Sequence, residues 1–239
     1  MIQKIPSKNP PNFIKVEMLC DDPISNRLKE IDVIKDYFNY SNTTVIVGPP
    51  KSGKTSTLMN FFNVYKKCFT KIFVFMKKTL RSSLKNNIFD KHLPKDQIFD
   101  VITIENLSSV INKIEINSSL DDFSLIIFDD LQNYLKNADI SLLINEIIAN
   151  HRHLRLTTFI LLQNFIKLEA PTRCIVDNLI LYEVNKTQKE KIYEDHIDFI
   201  TEKEFNSLCN EAWKIPHGFL LIPIIHHKFF DSDFIELQI

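Results

Sequence analysis

The chain has 239 residues, of which 44% are apolar and 25% charged, and its formal net charge is −1. This length suits one α/β domain with a sizeable core, and the near-zero charge means that any contact with nucleic acid has to come from a local basic patch. The start, MIQKIPSKNPPNF, has charges and prolines where a signal peptide needs an apolar run. No apolar stretch approaches the roughly 20 residues of a bilayer span. The four cysteines form no Cys-x-x-Cys motif, so we expect a reducing, intracellular location without a membrane partner.

The chain order of apolar segments predicts a sheet covered by helices. Residues 1–22 are expected to form an extended arm, and residues 23–239 one domain that opens with a helix from Pro23 to about Tyr40. Six strands are then predicted in the order TTVIVG, KIFVFM, IFDVITI, SLIIFD, TTFILLQ and NLILY. Helical segments separate most of them, the first from Gly53 to about Lys66 and the last in QKEKIYEDHIDFITEKEFNSLCNEAW. Apolar strands that alternate with helices predict a parallel sheet with helices on both faces, and the segment GFLLIPIIHHKFFDSDFIEL predicts a terminal β-hairpin.

Glycine is scarce in the chain, and its placement identifies a nucleotide site. Average usage would give roughly 17 glycines, but the chain has three, of which Gly48 and Gly53 open and close the pattern Gly-x-x-x-x-Gly-Lys-Thr. The pattern follows a predicted strand and opens a predicted helix, which is the context of a P-loop. Backbone amides and the helix dipole then bind phosphate. The predicted cradle comprises Gly48, Pro49, Pro50, Lys51, Ser52, Gly53, Lys54, Thr55 and Ser56.

Within this loop, two side chains have predicted roles toward ATP and Mg²⁺. Lys54 is expected to reach the β- and γ-phosphates, and the Thr55 hydroxyl to be a Mg²⁺ ligand. Each of the two prolines, Pro49 and Pro50, removes an amide donor from the first half of the loop.

Two aspartates follow the buried strand in SLIIFDDL. They emerge at the carboxyl edge of the sheet, where ligands bind in open α/β folds. Asp129 is the predicted Mg²⁺ carboxylate, acting through water, and Asp130 the predicted base that polarises the attacking water. The alternative is that both aspartates only cap the helix that follows.

Further candidates come from the later strands. Gln163 ends TTFILLQ and is placed to sense the γ-phosphate, although it is also compatible with an ordinary polar strand end. Arginine neutralises phosphoryl charge well, often from a neighbouring subunit, which makes Arg152, Arg155 and Arg173 candidates. Any one of them taken alone is better explained as a surface ion pair.

The order of these motifs resembles the genome-packaging ATPases of poxviruses, giant viruses and virophages, within the FtsK/HerA superfamily. The resemblance rests on GPPKSGKTS, on SLIIFDDL and on NHRHLRLTTFILLQNFIKLEAPTRCIVDNLILY, and it covers roughly residues 25–235. The family places an Arg-His pair before a strand that ends in Gln, and then an Arg before a further strand. Here these are Arg152-His153, TTFILLQ and Arg173.

The resemblance implies a RecA-like P-loop NTPase of the ASCE type that assembles into a hexameric or pentameric ring. It also implies ATP-driven translocation of double-stranded DNA into a capsid, with capsid or other packaging proteins as partners, in the host cytoplasm or the virion. By position, Lys54, Asp130 and Gln163 would be catalytic, Arg152 the trans-acting arginine and Arg173 the second candidate. Much of the superfamily has Glu where Asp130 stands. A helicase acting on single-stranded nucleic acid and a nucleotide-gated scaffold stay open as alternatives.

A basic segment is the candidate DNA contact. Residues 71–95 contain seven Lys and Arg against one acid, Asp90. Basic side chains there would contact phosphates without reading the base sequence. The candidates are Lys77, Lys78, Arg81 and Lys85. A solvated basic loop would have the same composition. His226 and His227 are not expected to bind a metal, because adjacent residues of a strand point to opposite faces.

Overall fold

The computed structural model describes residues 3–5, 37–38, 41–85, 87–115 and 123–239. The helix expected from Pro23 to Tyr40 lies outside the described residues except at Tyr37 and Phe38. Of the expected arm, only the strand Gln3–Ile5 is described, and it pairs antiparallel with Glu236–Gln238. The boundary between an arm and a domain therefore stays a prediction.

The described strands are β1 (Gln3–Ile5), β2 (Thr43–Val47), β3 (Lys71–Phe75), β4 (Ile98–Phe99), β5 (Ser124–Phe128), β6 (Leu156–Leu162), β7 (Asn178–Tyr182), β8 (Phe219–Pro223) and β9 (Glu236–Gln238). Seven of them form a mostly parallel sheet in the order β4-β3-β5-β6-β2-β7-β8. All neighbours in this sheet are parallel except β7 and β8.

Eight α-helices of the described residues connect these strands. They are α1 (Lys54–Tyr65), α2 (Lys78–Ser82), α3 (Ile88–His92), α4 (Ile104–Glu115), α5 (Ala138–Ala149), α6 (Ala170–Cys174), α7 (Lys186–His196) and α8 (Glu202–Ala212). No helix of the described residues is long and apolar enough to cross a membrane.

The sheet separates two apolar cores, because successive strand residues point to opposite faces. Val45 and Val47 belong to the core that α4, α5, α7 and α8 cover, whereas Ile46 belongs to the core that α1 covers. Strands β2, β5, β6 and β7 are buried along their whole length. The predicted parallel sheet with helices on both faces is thus confirmed, and the site residues directly follow its buried strands.

The third predicted strand, IFDVITI, is wrong in its length. Only Ile98–Phe99 pairs with β3, and Asp100 and Val101 are exposed. Thr103 ends the extended segment, because its hydroxyl accepts the backbone N–H of Asn106 at 3.1 Å and its carbonyl accepts that of Leu107. Ile104 therefore begins α4.

The C-terminal segment returns along β8. Leu221 and Phe230 exchange two backbone hydrogen bonds of 2.8 and 2.9 Å, which closes the terminal hairpin, and β9 then pairs with β1. The prediction that the two histidines lie on a strand is wrong, because His226 ends a 3₁₀ helix and His227 follows it with a left-handed backbone. His226 packs edge-on against Tyr37 and His227 stacks on Phe199.

Candidate nucleotide-binding site

The loop between β2 and α1 is tied to the carboxyl edge of the sheet. The amide of Gly48 donates to the carbonyl of Leu162, the last residue of β6, at 3.1 Å. Gly53 precedes α1 in a left-handed conformation with φ 108°, and no side chain caps the helix. The first turn of α1 also contains no acidic residue. Its amides and its positive dipole end therefore face the loop, as an anion site requires.

Tyr182 explains why the loop needs its first glycine. A Cβ at Gly48 would lie 2.6 Å from Cβ of Tyr182 and 2.7 Å from Oγ of Ser52. The Tyr182 hydroxyl is 2.6 Å from Oγ1 of Thr57 in α1, and burial raises the pKa of the phenol. Tyr182 thus forms the floor of the loop. Tyr182 was not among the predicted site residues, because its place beside the loop depends on the pairing of β7 with β2.

Lys54 lies folded back into the loop. Its ammonium donates to the carbonyls of Gly48 and Pro49, both at 2.7 Å. Burial lowers the pKa of Lys54 to about 8, against the attraction of Asp129 and Asp130. Nearby, Oγ of Ser52 is buried without a hydrogen-bond partner. A lysine, an orphaned hydroxyl and free helix amides in one place are the groups that a phosphate would satisfy.

Asp129 and Asp130 leave β5 at the same edge of the sheet. Asp129 is 9% exposed, and its amide donates to the carbonyl of Phe75 at 2.9 Å. Burial and then the charge of Asp130 raise the pKa of Asp129 to about 6, although Lys54 opposes the shift. Asp130 has a left-handed backbone with φ 55°, which turns the chain away from the strand. A buried carboxylate that is costly to ionise is a good partner for a divalent cation.

Four polar side chains converge on the Asp130 carboxylate. Gln163 donates to Oδ1 at 3.4 Å, as does Gln132, while Asn133 donates to Oδ2 at 2.7 Å. The ammonium of Lys77 is 3.7 Å from Oδ2. The structure thus brings the predicted Asp130 and Gln163 together. It adds Lys77, which follows β3 and reaches this edge because β3 is parallel to β5.

The arginine candidates have different surroundings. Arg152 is exposed and lies just before β6, whereas the P-loop contacts the last residue of β6. A seven-residue strand spans about 20 Å, so Arg152 lies at the sheet edge opposite its own P-loop. Arg173 is 9% exposed, with Nε donating to Asp195 at 2.7 Å and Nη1 donating to the carbonyl of Leu168. Arg155 lies over the Phe123 ring.

The basic segment is not one uniform patch. The Lys71 ammonium donates to the carbonyl of Lys113, at the start of β3 and far from the loop. Arg81 is ion-paired with both Asp90 and Asp100, an acid just beyond the segment. Lys77, Lys78 and Lys85 are exposed, so the lysines are better placed than Arg81 to contact a polyanion.

Together, the fold and the site define a P-loop NTPase, with a Gly-x-x-x-x-Gly-Lys-Thr loop between the interior strand β2 and α1, and two carboxylates directly after β5, which one strand separates from β2. The chain belongs to the Poxvirus A32 protein family, whose model matches residues 26–208. The predicted family and fold class are therefore confirmed. A comparison with curated proteins finds no match.

Solved structures share this fold. The genome packaging NTPase B204 from Sulfolobus turreted icosahedral virus 2, in complex with ATP-gammaS, is similar with a TM-score of 0.63 and 17% identity, over 81% of this chain and 98% of that one. The complex of the same NTPase with AMPPCP has a TM-score of 0.63 and 18% identity, over 81% of this chain and 97% of that one. EssC (ATPases 2 and 3) from Geobacillus thermodenitrificans has a TM-score of 0.53 and 14% identity, over 95% of this chain and 43% of that one.

Proposed function

We propose that this protein is a viral genome-packaging ATPase that hydrolyses ATP to move double-stranded DNA into a capsid. The observation that carries the proposal is the convergence of Lys54, Asp129 and Asp130 at one sheet edge in a Poxvirus A32 family chain. The similar B204 structures are described as a genome packaging NTPase and a DNA-packaging ATPase. Their shared fold supports the same class of activity here.

ATP would bind with its phosphates over the start of α1. The Lys54 ammonium would exchange the carbonyls of Gly48 and Pro49 for β- and γ-phosphate oxygens, which are stronger acceptors because they are charged. Thr55 and Asp129 would hold Mg²⁺, with Asp129 acting through water. The cation would offset phosphate charge, and the buried, costly carboxylate of Asp129 fits this role.

Asp130 is suited to act on the attacking water. The water's oxygen would form a bond to the γ-phosphorus as the bond to the β,γ-bridging oxygen breaks, and Asp130 would accept the water's proton. Gln132, Asn133 and Gln163 restrict the carboxylate by donating to it. The carboxylate therefore has a fixed position, although Asp is one methylene shorter than the Glu of much of the superfamily.

The proposed active assembly is a homo-oligomeric hexamer or pentamer. Because Arg152 lies about 20 Å from its own P-loop, it can serve phosphoryl transfer only in a neighbouring protomer. Arg173 is less suited, since its guanidinium already binds Asp195 and Leu168. The DNA path would include Lys78 and Lys85. Capsid or other packaging proteins are the proposed docking partners, at the assembly site in the host cytoplasm or in the virion.

ATP turnover with matched DNA substrates tests this function. We expect double-stranded DNA to stimulate phosphate release by an oligomer whose mass, measured in the same solution, is five or six protomers. Single-stranded DNA of the same length is the control, because a helicase-like enzyme would prefer it. Preference for single strands, or no turnover in the assembled ring, would contradict the proposal.

A further inference from the structure

The turn that joins α5 to β6 contains a buried histidine directly before the exposed Arg152. This histidine, His151, is 5% exposed, and it lies at the edge of the sheet opposite the P-loop. Its carbonyl accepts the amide of Leu156, the first residue of β6, at 2.8 Å. The backbone of the turn is therefore bound to the sheet one residue before Arg152.

The imidazole of His151 has a polar group on each side. Nδ1 is 2.7 Å from the carbonyl oxygen of Ile148, in the last turn of α5. Because a carbonyl oxygen only accepts, Nδ1 carries a proton. Nε2 has no hydrogen-bond partner among the described residues, but it lies 3.5 Å from Oδ2 of Asp177. When Nε2 is also protonated, the imidazolium attracts this carboxylate and the ring is held on both sides.

Asp177 is bound to three strands of the sheet. Its Oδ2 accepts the amide of Thr43, the first residue of β2, at 2.8 Å. Its own amide donates to the Thr43 carbonyl at 3.0 Å, and its carbonyl accepts the amide of Ile224, directly after β8, at 2.9 Å. Since Asp177 itself directly precedes β7, its carboxylate has a position that β2, β7 and β8 fix together.

Arg152 and Asp177 line the same cavity, of about 530 Å³, at this edge of the sheet. We propose that His151, held by Asp177, is a positioning residue for Arg152 in ATP hydrolysis at the site of the neighbouring protomer. The inference rests on the proposed function, because it takes Arg152 to act in trans. The Arg152 side chain is long and exposed, so its reach depends on where its backbone lies. A displacement of about 1 Å at a catalytic group can cost about 100-fold in rate.

Mixed rings show in which protomer His151 acts. His151→Leu and Asp177→Asn, each in the full-length protein, should bind ATP with wild-type affinity by calorimetry and lose about 100-fold in turnover. Mixing either variant with Lys54→Ala should restore activity, because in an equal mixture about a quarter of the head-to-tail interfaces pair an intact P-loop with a positioned arginine. Mixing either variant with Arg152→Ala should restore none, since no protomer then positions an arginine.

Two controls separate positioning from folding. Asp177→Asn keeps an oxygen that can accept the Thr43 amide, so it tests the pair even if His151→Leu does not fold. His196→Leu is the matched control for His151→Leu. His196 is also a buried histidine, 9% exposed, and its Nε2 likewise has no hydrogen-bond partner among the described residues, but it lies in α7. This variant should keep wild-type turnover.

The outcomes distinguish this inference from the proposed function. Wild-type turnover of Asp177→Asn would overturn the inference alone, as would a folded Asp177→Asn that gains no activity with Lys54→Ala although Arg152→Ala does. A purely structural role would give that second result, because the damaged P-loop would then belong to the variant itself. If Arg152→Ala also gains nothing with Lys54→Ala in assembled rings, the trans arginine of the proposed function fails, and the inference fails with it.

Discussion

Replacing Asp129 by asparagine should stabilise the protein when no nucleotide is bound. Burial and the neighbouring Asp130 raise the pKa of Asp129 from 3.8 to about 6. One pKa unit corresponds to ~1.4 kcal/mol, so ionising this carboxyl costs the folded state about 3 kcal/mol at neutral pH. Asparagine has nearly the same shape and no charge, and it removes that cost. The substitution also removes the attraction between Asp129 and Lys54, but the net pKa shift of Asp129 already includes that attraction.

The destabilisation that Asp129 causes should depend on pH, because its pKa is higher in the folded state. Below pH 3.8 the carboxyl is protonated in the folded and unfolded states, and above pH 6 it is ionised in both. The destabilisation is therefore absent in acid, grows as the pH rises from 3.8 to 6, and is complete above that. The stability advantage of Asp129→Asn should be less than about 1 kcal/mol at pH 4 and about 3 kcal/mol at pH 7.5.

Urea unfolding of both proteins over this pH range is the assay, with the free energy of unfolding extrapolated to water. Asp198→Asn, which removes an exposed aspartate in the turn after α7, is the matched control for the chemistry of the substitution. Addition of Mg²⁺ and AMPPCP should reverse the order, because only the wild type gains the carboxylate–cation interaction. An Asp129→Asn protein that is less stable than the wild type at pH 7.5 would refute the reasoning.

Five further substitutions, in three experiments, test the remaining roles. Asp130→Asn should bind ATP normally and lose at least 100-fold in turnover, because general-base catalysis contributes about 10²–10⁴; normal phosphate release would show that Asp130 is not the general base. Lys78→Glu should weaken double-stranded DNA binding, make its salt dependence shallower by about one to two phosphate contacts, and leave basal turnover unchanged. Lys77→Glu should have the same effects on DNA binding and should also lower basal turnover, because the Lys77 ammonium is 3.7 Å from the Asp130 carboxylate. Arg152→Ala and Lys54→Ala should each be inactive alone, and mixing them should partly restore activity, because an arginine finger contributes about 10³–10⁵ in rate; no recovery in mixed rings would remove Arg152 from the neighbour's site.

The sequence predicted the sheet and the P-loop because both depend on local patterns. Continuous apolar strands that end in glycine or aspartate, and helices with apolar spacing, are readable from neighbouring residues. Some missed features were also readable. Thr103 and Asn106 mark the start of α4, and Thr201 with Glu204 forms a capping box that divides the long helical segment into α7 and α8.

Other features depend on contacts between distant residues. Arg173 pairs with Asp195, which lies 22 positions further along the chain. The burial of Arg173 was therefore not visible in the sequence. The contact of Lys77 with Asp130 required the pairing of β3 with β5. The floor that Tyr182 forms under Gly48 required β7 to lie beside β2, an order that the motif does not specify.

Translocation itself is the most direct test of the proposed activity. A third-strand oligonucleotide bound as a triplex on a linear duplex is released when a motor passes along the duplex, and its displacement is measured as loss of the labelled triplex. We expect the assembled wild-type protein to displace it with ATP and Mg²⁺, but not with AMPPCP, and Lys54→Ala to displace none. A triplex that stays intact while the wild-type protein hydrolyses ATP in the presence of the duplex would contradict DNA translocation.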